Sequence, residues 1–217
     1  FFIYSQDQDF QHWYNLEIDY KFTKKNKLTI EGAGRQIHDF YFLIGEDVKK
    51  TQKIFLDINF KRKHNSFLSY AMGYRHIFLK GSDDYNTYDS CDLRNRIYTD
   101  VCIQIQKNNK NNLIESRTRI QKQAEDNFSF NQDVTNKIRE RIRFEHNIKS
   151  MKLKAFFSLE LFYVLNDDFE KIRYVTGFKK TLGKKITFNL SYMIQQEFNN
   201  DYSDLLIALR TKISYSI

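Results

Sequence analysis

Arginines recur at alternate positions in several parts of this chain. Arg139, Arg141 and Arg143 lead to Glu145, and Arg117 and Arg119 follow Glu115. Arg94 and Arg96 form a third row, and Glu160 lies on a fourth. A guanidinium is permanently charged and presents a rigid fork of donors that matches a carboxylate or an oxyanion. Two kinds of chemistry suit such rows. Arginines interspersed with glutamates can pair with them and fill an enclosed space, whereas rings of Arg or Lys lining a passage select anions. The paired, structural reading is preferred here, because the carboxylates stand in the same rows as the arginines. For the same reason Glu31, Glu115, Glu145 and Glu160 are expected as ion-pair partners before they are expected as a general acid and base.

Other reactive constellations are weaker. His64, Asn65 and Ser66 set a base beside a hydroxyl nucleophile, as a membrane-embedded lipid hydrolase would require. No Asn-Gly follows to help build an oxyanion site, and the triplet falls in a turn between two extended segments. His12, His38, His76 and His146 lack metal-ligand spacing. Asp83, Asp84 and Asp89 could meet a cation, but they form no EF-hand series and read as a solvated acidic loop. There is no glycine-rich phosphate loop and no aromatic stacking motif for nucleic acid. No cofactor, metal or nucleic acid is therefore expected.

The elements that would carry the arginine rows are strands. In TNKIRERIRFEHNIK, from Thr135 to Lys149, Ile138, Ile142, Phe144 and Ile148 share one parity, interrupted by Glu140 and His146. The arginines share the other parity, and a period of two is that of a β-strand. Similar alternation predicts strands near 13–24, 27–37, 53–62, 66–79, 93–107, 113–124, 152–165, 170–181, 185–198 and from about 205 to the end. KKNK, NNKNN and LGKK mark tight turns. Gly32 and Gly34 suggest a bend or a close approach. Short connections after the first, third, fifth, seventh and ninth segments alternate with mostly longer ones, the pattern of a membrane barrel with short turns at one end.

Composition is compatible with that architecture. The 217 residues include 16% aromatics, no Pro and only 7 Gly, and the formal net charge is +8. The sequence pI is about 9.3 and mean hydropathy is −0.64. No apolar run is long enough for a helical membrane span, but a membrane strand needs one apolar face only, which average hydropathy does not register. The positive charges are spread over many segments and read as solvated ends more readily than as a nucleic-acid surface. Cys91 and Cys102, in one extended segment, would lie about 36 Å apart, too far to bridge.

Period alone does not separate a barrel in a membrane from a barrel in water, since a soluble sheet could bury the apolar parity and expose the arginines. The length of the apolar faces, the aromatics toward segment ends and the opposite charges on neighbouring polar faces favour the membrane. Trp13, Tyr74, Tyr163 and Tyr174 are then expected at the outer interface, and Tyr20, Phe60 and Tyr215 at the inner one. Glu140, Lys122 and His146 oppose this reading, because they fall on the apolar parity.

WYNLEIDYKFTKKNKLTIEGAGRQ, YAMGYRHIF, KIRERIRFEHNI and AFFSLELFYVLNDDFEKIRYVTGFKK together resemble the domain of unknown function 2490 family. The resemblance runs from about Trp13 to the C-terminus. It implies an outer-membrane β-barrel of Bacteroidota and no particular reaction. The expectation is an all-β, single-chain antiparallel transmembrane β-barrel with a charged lumen, lined by Arg94, Arg96, Glu115, Arg117, Arg119, Arg139, Arg141, Arg143, Glu145 and Glu160. Eleven segments are legible, whereas an antiparallel single-chain barrel needs an even number. About 12 strands are expected if residues 1–10 supply a short first strand, or 10 if a weak segment does not span. Residues 1–10 are alternatively a signal-peptide remnant, and 11–217 form the barrel domain. A porin-like narrow pore or a structural or assembly component of the outer membrane is expected. Its partners would be the bilayer, lipopolysaccharide and other outer-membrane subunits. A lipid hydrolase and a soluble barrel binding an anionic ligand are the alternatives.

Overall fold

The computed structural model describes residues 8–39, 52–80, 91–106, 111–125, 134–165, 169–198 and 205–217. They form eleven strands: β1 (Gln8–Lys21), β2 (Asn26–Asp39), β3 (Gln52–Lys63), β4 (Leu68–Lys80), β5 (Cys91–Gln106), β6 (Asn112–Glu125), β7 (Val134–Ile148), β8 (Leu153–Val164), β9 (Phe169–Leu182), β10 (Ile186–Glu197) and β11 (Leu205–Ser216). Each strand pairs with its sequence neighbours, and β11 returns to β1 to close the barrel.

The closure corrects the expected strand number. Ten of the pairings are antiparallel hairpins. The eleventh, β1 with β11, is parallel, with Gln8 opposite Leu205 and Asp19 opposite Ser216. An odd number of alternating strands necessarily brings its first and last strands together in the same direction. The evenness rule assumed antiparallel closure, and neither a twelfth strand nor the loss of a weak one is needed. Parallel pairs are slightly less stable per residue, yet this seam is continuous to its end, where Ile217 N donates to Asp19 O at 2.9 Å. Of residues 1–10, assigned to a leader remnant or a separate short strand, 8–10 open β1, and 1–7 lie outside the described residues.

Local sequence accounts for the turns at one end. Thr23 Oγ1 accepts from the backbone N of Lys25 and Asn26 at 3.1 and 3.0 Å. Asn65 Oδ1 accepts from Phe67 N and Leu68 N at 3.0 and 2.7 Å, an Asx-type closure. Gly183 takes a left-handed φ of +66° between β9 and β10, a conformation glycine adopts without a Cβ clash.

Parity then decides what faces where. All eleven strands present exposed large apolar side chains outward, among them Leu16, Ile30, Leu56, Met72, Ile97, Ile120, Ile142, Phe157, Phe178, Leu190 and Ile213. The opposite parity turns inward and is mixed. Trp13, Phe156, Val175, Met193 and Ala208 form one apolar cluster inside the barrel, and Ala33, Phe55 and Ile77 form another. Gly32 and Gly34 face outward with nothing within 4 Å of a notional Cβ, so they mark no close approach.

Gly73 does mark one. A Cβ there would lie 2.2 Å from the Tyr98 ring. The ring crosses the glycine so that its hydroxyl can donate to Asp57 Oδ1 at 2.6 Å. Gly73→Val is expected to displace Tyr98 and destabilise the barrel by about 1–3 kcal/mol. Urea unfolding in detergent measures this, and an unchanged midpoint would mean that Tyr98 has another berth.

Candidate functional site

The inward parity builds a layered charged interior. Its centre is Glu160, on β8 and 5% exposed. Glu160 Oε1 accepts from Arg117 Nη2 at 2.6 Å and from Arg139 Nη2 at 2.8 Å, while Oε2 accepts from Arg173 Nη1 at 3.2 Å. One carboxylate therefore joins β6, β7, β8 and β9. Asp100 receives Arg119 in a bidentate pair at 2.6 and 2.8 Å. Asp57 accepts from Arg75 Nε at 2.6 Å.

Nearer the short turns, Glu115 pairs with Arg141. Glu145 takes both Arg143 and Lys179 at 2.8 Å. Across the parallel seam, Lys212 of β11 donates to Glu17 of β1 at 2.6 Å and to Glu31 of β2 at 2.8 Å. The seam is thus tied by side chains as well as by backbone. Charged pairs of this kind are strong where desolvated, but breaking one leaves an uncompensated charge behind.

The register explains why so many carboxylates are shared. Arg117 lies directly opposite Arg141, and Arg119 opposite Arg139. Like charges directly opposite repel. The acids that relieve them come from β5, β6 and β8, as Asp100, Glu115 and Glu160.

Aromatic rings supply the second layer of support. Guanidinium carbons sit over Trp13 (Arg35, 3.6 Å), Tyr98 (Arg119, 3.6 Å), Phe156 (Arg143, 3.9 Å) and Phe55 (Arg75, 4.0 Å). Arg139 and Arg173 both lie over Phe162, at 4.5 and 4.7 Å. Arginine stacks well on aromatic faces because it is planar and weakly hydrated.

Each residue expected to line the interior is on the inward parity. Glu115, Arg117, Arg119, Arg139, Arg141, Arg143, Glu145 and Glu160 all take part in ion pairs, in separate clusters. Arg96 instead reaches Gln123 Oε1, at 3.2 and 2.5 Å. Arg94 occupies the next inward position of β5, toward the opposite end from the short turns.

Trp13 is a correction. It was expected at the outer interface, but it is 4% exposed, inside the barrel, with its indole donating to Gln11 Oε1 at 2.7 Å. Leu16, Ile18 and Tyr20 face outward, so an odd-numbered neighbour on β1 must face inward. The other interface candidates, Tyr20, Phe60, Tyr74, Tyr163, Tyr174 and Tyr215, are exposed on the outer wall. Tyr74 sits at mid-strand on β4, and its hydroxyl donates to Asn95 Oδ1 at 2.5 Å.

The outer-wall exceptions are locally engaged in part. Glu140 accepts from Thr118 Oγ1 at 3.0 Å, and His146 Nδ1 lies 2.7 Å from Asn112 Oδ1. Lys122 is exposed opposite Asn136. His64 and Ser66 occupy the β3–β4 turn closed by Asn65. Asp83, Asp84 and Asp89 lie outside the described residues. Cys102 is a free, buried thiol.

The expected lining did not include Arg35, Lys53, Arg75, Arg173 and Lys212, which the parity of their strands turns inward. It also left out the rings of Phe55, Tyr98, Phe156 and Phe162. Their signal was available, because each aromatic shares the parity of the charges on its own strand.

A family model described as "Protein of unknown function (DUF2490)" matches residues 10–205. No curated protein matches the chain. Among solved structures the barrel is similar to the β domain of the Bordetella autotransporter BrkA, at 11% identity and TM-score 0.51, covering 86% of this chain and 82% of that one. It is likewise similar to LpxR from Salmonella typhimurium, at 10% identity and TM-score 0.52, covering 87% of this chain and 83% of that one. At these identities the likeness is one of fold alone.

Proposed function

This chain belongs to the DUF2490 family of proteins of unknown function, and we propose that it is an outer-membrane β-barrel with a charged, ion-paired lumen, serving as a structural or assembly component of that membrane. The observation that carries the reading is the segregation of side chains: large apolar residues are exposed on the outer wall of every strand, while ion pairs occupy the inside. In water this arrangement would leave an apolar surface running around the whole barrel, far beyond the patches that soluble monomers carry. In a bilayer the same surface is solvated by lipid and closure leaves no unpaired strand edge. The fold likeness to an autotransporter β domain supports the same reading.

Glu160 and its three arginines link four strands across the inside, which favours a braced barrel over a wide diffusion pore. The partners would be the bilayer, lipopolysaccharide and neighbouring outer-membrane proteins. No reaction is part of this reading. The test is fractionation of the expressed protein together with heat-modifiable migration on a gel. Migration of an unheated, compact band with the outer membrane is the expected result. A folded protein in buffer without detergent overturns the proposal.

A second reading, a narrow anion-selective pore, is favoured by Arg35, Lys53 and Arg96, inward cations that form no ion pair among the described residues. It predicts small conductance steps in planar bilayers, with a reversal potential displaced toward that of the anion.

A further inference from the structure

Away from the short turns, the barrel encloses a cavity of about 310 Å³ lined in part by Arg35, Lys53, Phe55 and Arg96. Its two carboxylates each take lysines through Oε1, while Glu170 Oε2 is buried with no hydrogen-bond partner among the described residues. Glu170 takes Lys137 at 2.8 Å and Lys171 at 2.9 Å, and Glu197 takes Lys171 at 2.9 Å. Three cations on the β2–β3–β5 side, Arg35, Lys53 and Arg96, form no ion pair among the described residues. Arg35 and Lys53 lie directly opposite each other on β2 and β3. Directly opposite side chains have Cβ atoms about 4.5–5.5 Å apart, and like charges there destabilise the pair.

Elsewhere inside the barrel a carboxylate relieves each opposed arginine pair described above. Among the described residues none reaches Arg35 or Lys53. Arg35 lies over the Trp13 ring at 3.6 Å, and its buried Nε has no hydrogen-bond partner. The charges that act most strongly on Lys53 are those of Arg35, Arg96, Arg94 and Lys171, all cations. Among the described residues Arg96 hydrogen-bonds to the neutral Gln123, and Asp57, already paired with Arg75, is the carboxylate whose charge acts on it.

We propose that this cavity is a binding site for a phosphate-type oxyanion, held by Arg35, Lys53 and Arg96. A phosphate monoester or pyrophosphate carries the multiple negative charge that three clustered cations call for, and guanidinium forks match its oxygens. Lysine adds a point charge between the two forks. The ligand is either a free phosphorylated solute or a phosphate-bearing lipid headgroup reaching in from the rim. The site goes beyond the membrane reading and stands apart from it, because the cluster is internal in either solvent.

The test is calorimetric titration of the detergent-folded full chain with inorganic pyrophosphate, using chloride as the reference anion. Lys53→Gln is expected to weaken pyrophosphate binding about tenfold or more. Lys53→Glu places a carboxylate opposite Arg35. It is expected to abolish binding while raising the unfolding midpoint, a gain that a misfolded variant could not show. The source is separated by repeating the titration in phosphatidylcholine nanodiscs with and without phosphatidic acid. Lower apparent affinity with phosphatidic acid assigns a lipid headgroup, and unchanged affinity assigns a free solute. Pyrophosphate binding no tighter than chloride, or binding indifferent to both substitutions, overturns the proposal. Neither outcome depends on where the barrel fractionates in the cell.

Discussion

Glu160→Gln is expected to destabilise the barrel by about 3–5 kcal/mol, the usual consequence of removing one partner from a buried charge cluster. The carboxylate lies within 2.6–3.2 Å of guanidinium nitrogens from Arg117, Arg139 and Arg173. Glutamine preserves the shape but removes the charge, so three cations face one another without their common counter-ion. Swinging Arg139 or Arg173 aside to weaken the repulsion sacrifices their contacts with the Phe162 ring. The measurement is the urea midpoint in detergent, followed by conversion of the compact gel band to the unfolded one. Combining Glu160→Gln with Arg139→Gln should recover part of the loss, because the two changes share one cluster and their effects will not add. A loss below about 1 kcal/mol for the single variant would mean that water, rather than Glu160, compensates these arginines.

Glu160 also shows where sequence stops being informative. Its parity was readable: LKAFFSLELFYV alternates, and Glu160 falls with Lys154 and Ser158. So were all eleven strands and most of their turns, because hydrophobic period two and polar turn residues are local properties. The register was not. Glu115 and Glu145 could be placed beside the β6 and β7 arginines, but their pairing depends on which residues stand opposite. The observed register sets Arg117 against Arg141 and Arg119 against Arg139.

Asp100 and Glu160 become the answering acids only after β5 and β8 are laid beside that pair, and Arg117 reaches Glu160 across the intervening β7. Trp13 was misplaced for a different reason. Its closeness to a strand end suggested an interface aromatic, whereas the parity of Leu16 and Ile18 already directed it inward. Strand number failed through a premise about closure. The count of eleven was legible, and the parallel β1–β11 seam that makes eleven sufficient depends on both ends of the chain at once.

Ile58→Lys separates the two solvents in which this barrel could live. Ile18, Ile30, Ile58, Tyr74 and Ile97 are successive neighbours across β1 to β5, and all five are exposed on the outer wall. In water, replacing one exposed isoleucine in such a row by lysine changes stability by no more than about 0.5 kcal/mol. In hydrocarbon, a lysine at mid-depth costs about 2–4 kcal/mol, falling to about 0–1 kcal/mol near the interface. Phe60, one outward position nearer the β3–β4 turn, provides the depth control. For the protein refolded into phosphatidylcholine vesicles, Ile58→Lys is expected to lower the unfolding free energy by the larger amount and Phe60→Lys by clearly less. The gradient matters more than either value, since a packing defect has no reason to follow distance from the turn. Two small and equal effects would remove the apolar belt from the bilayer, and the outward isoleucines would then need a protein partner to cover them.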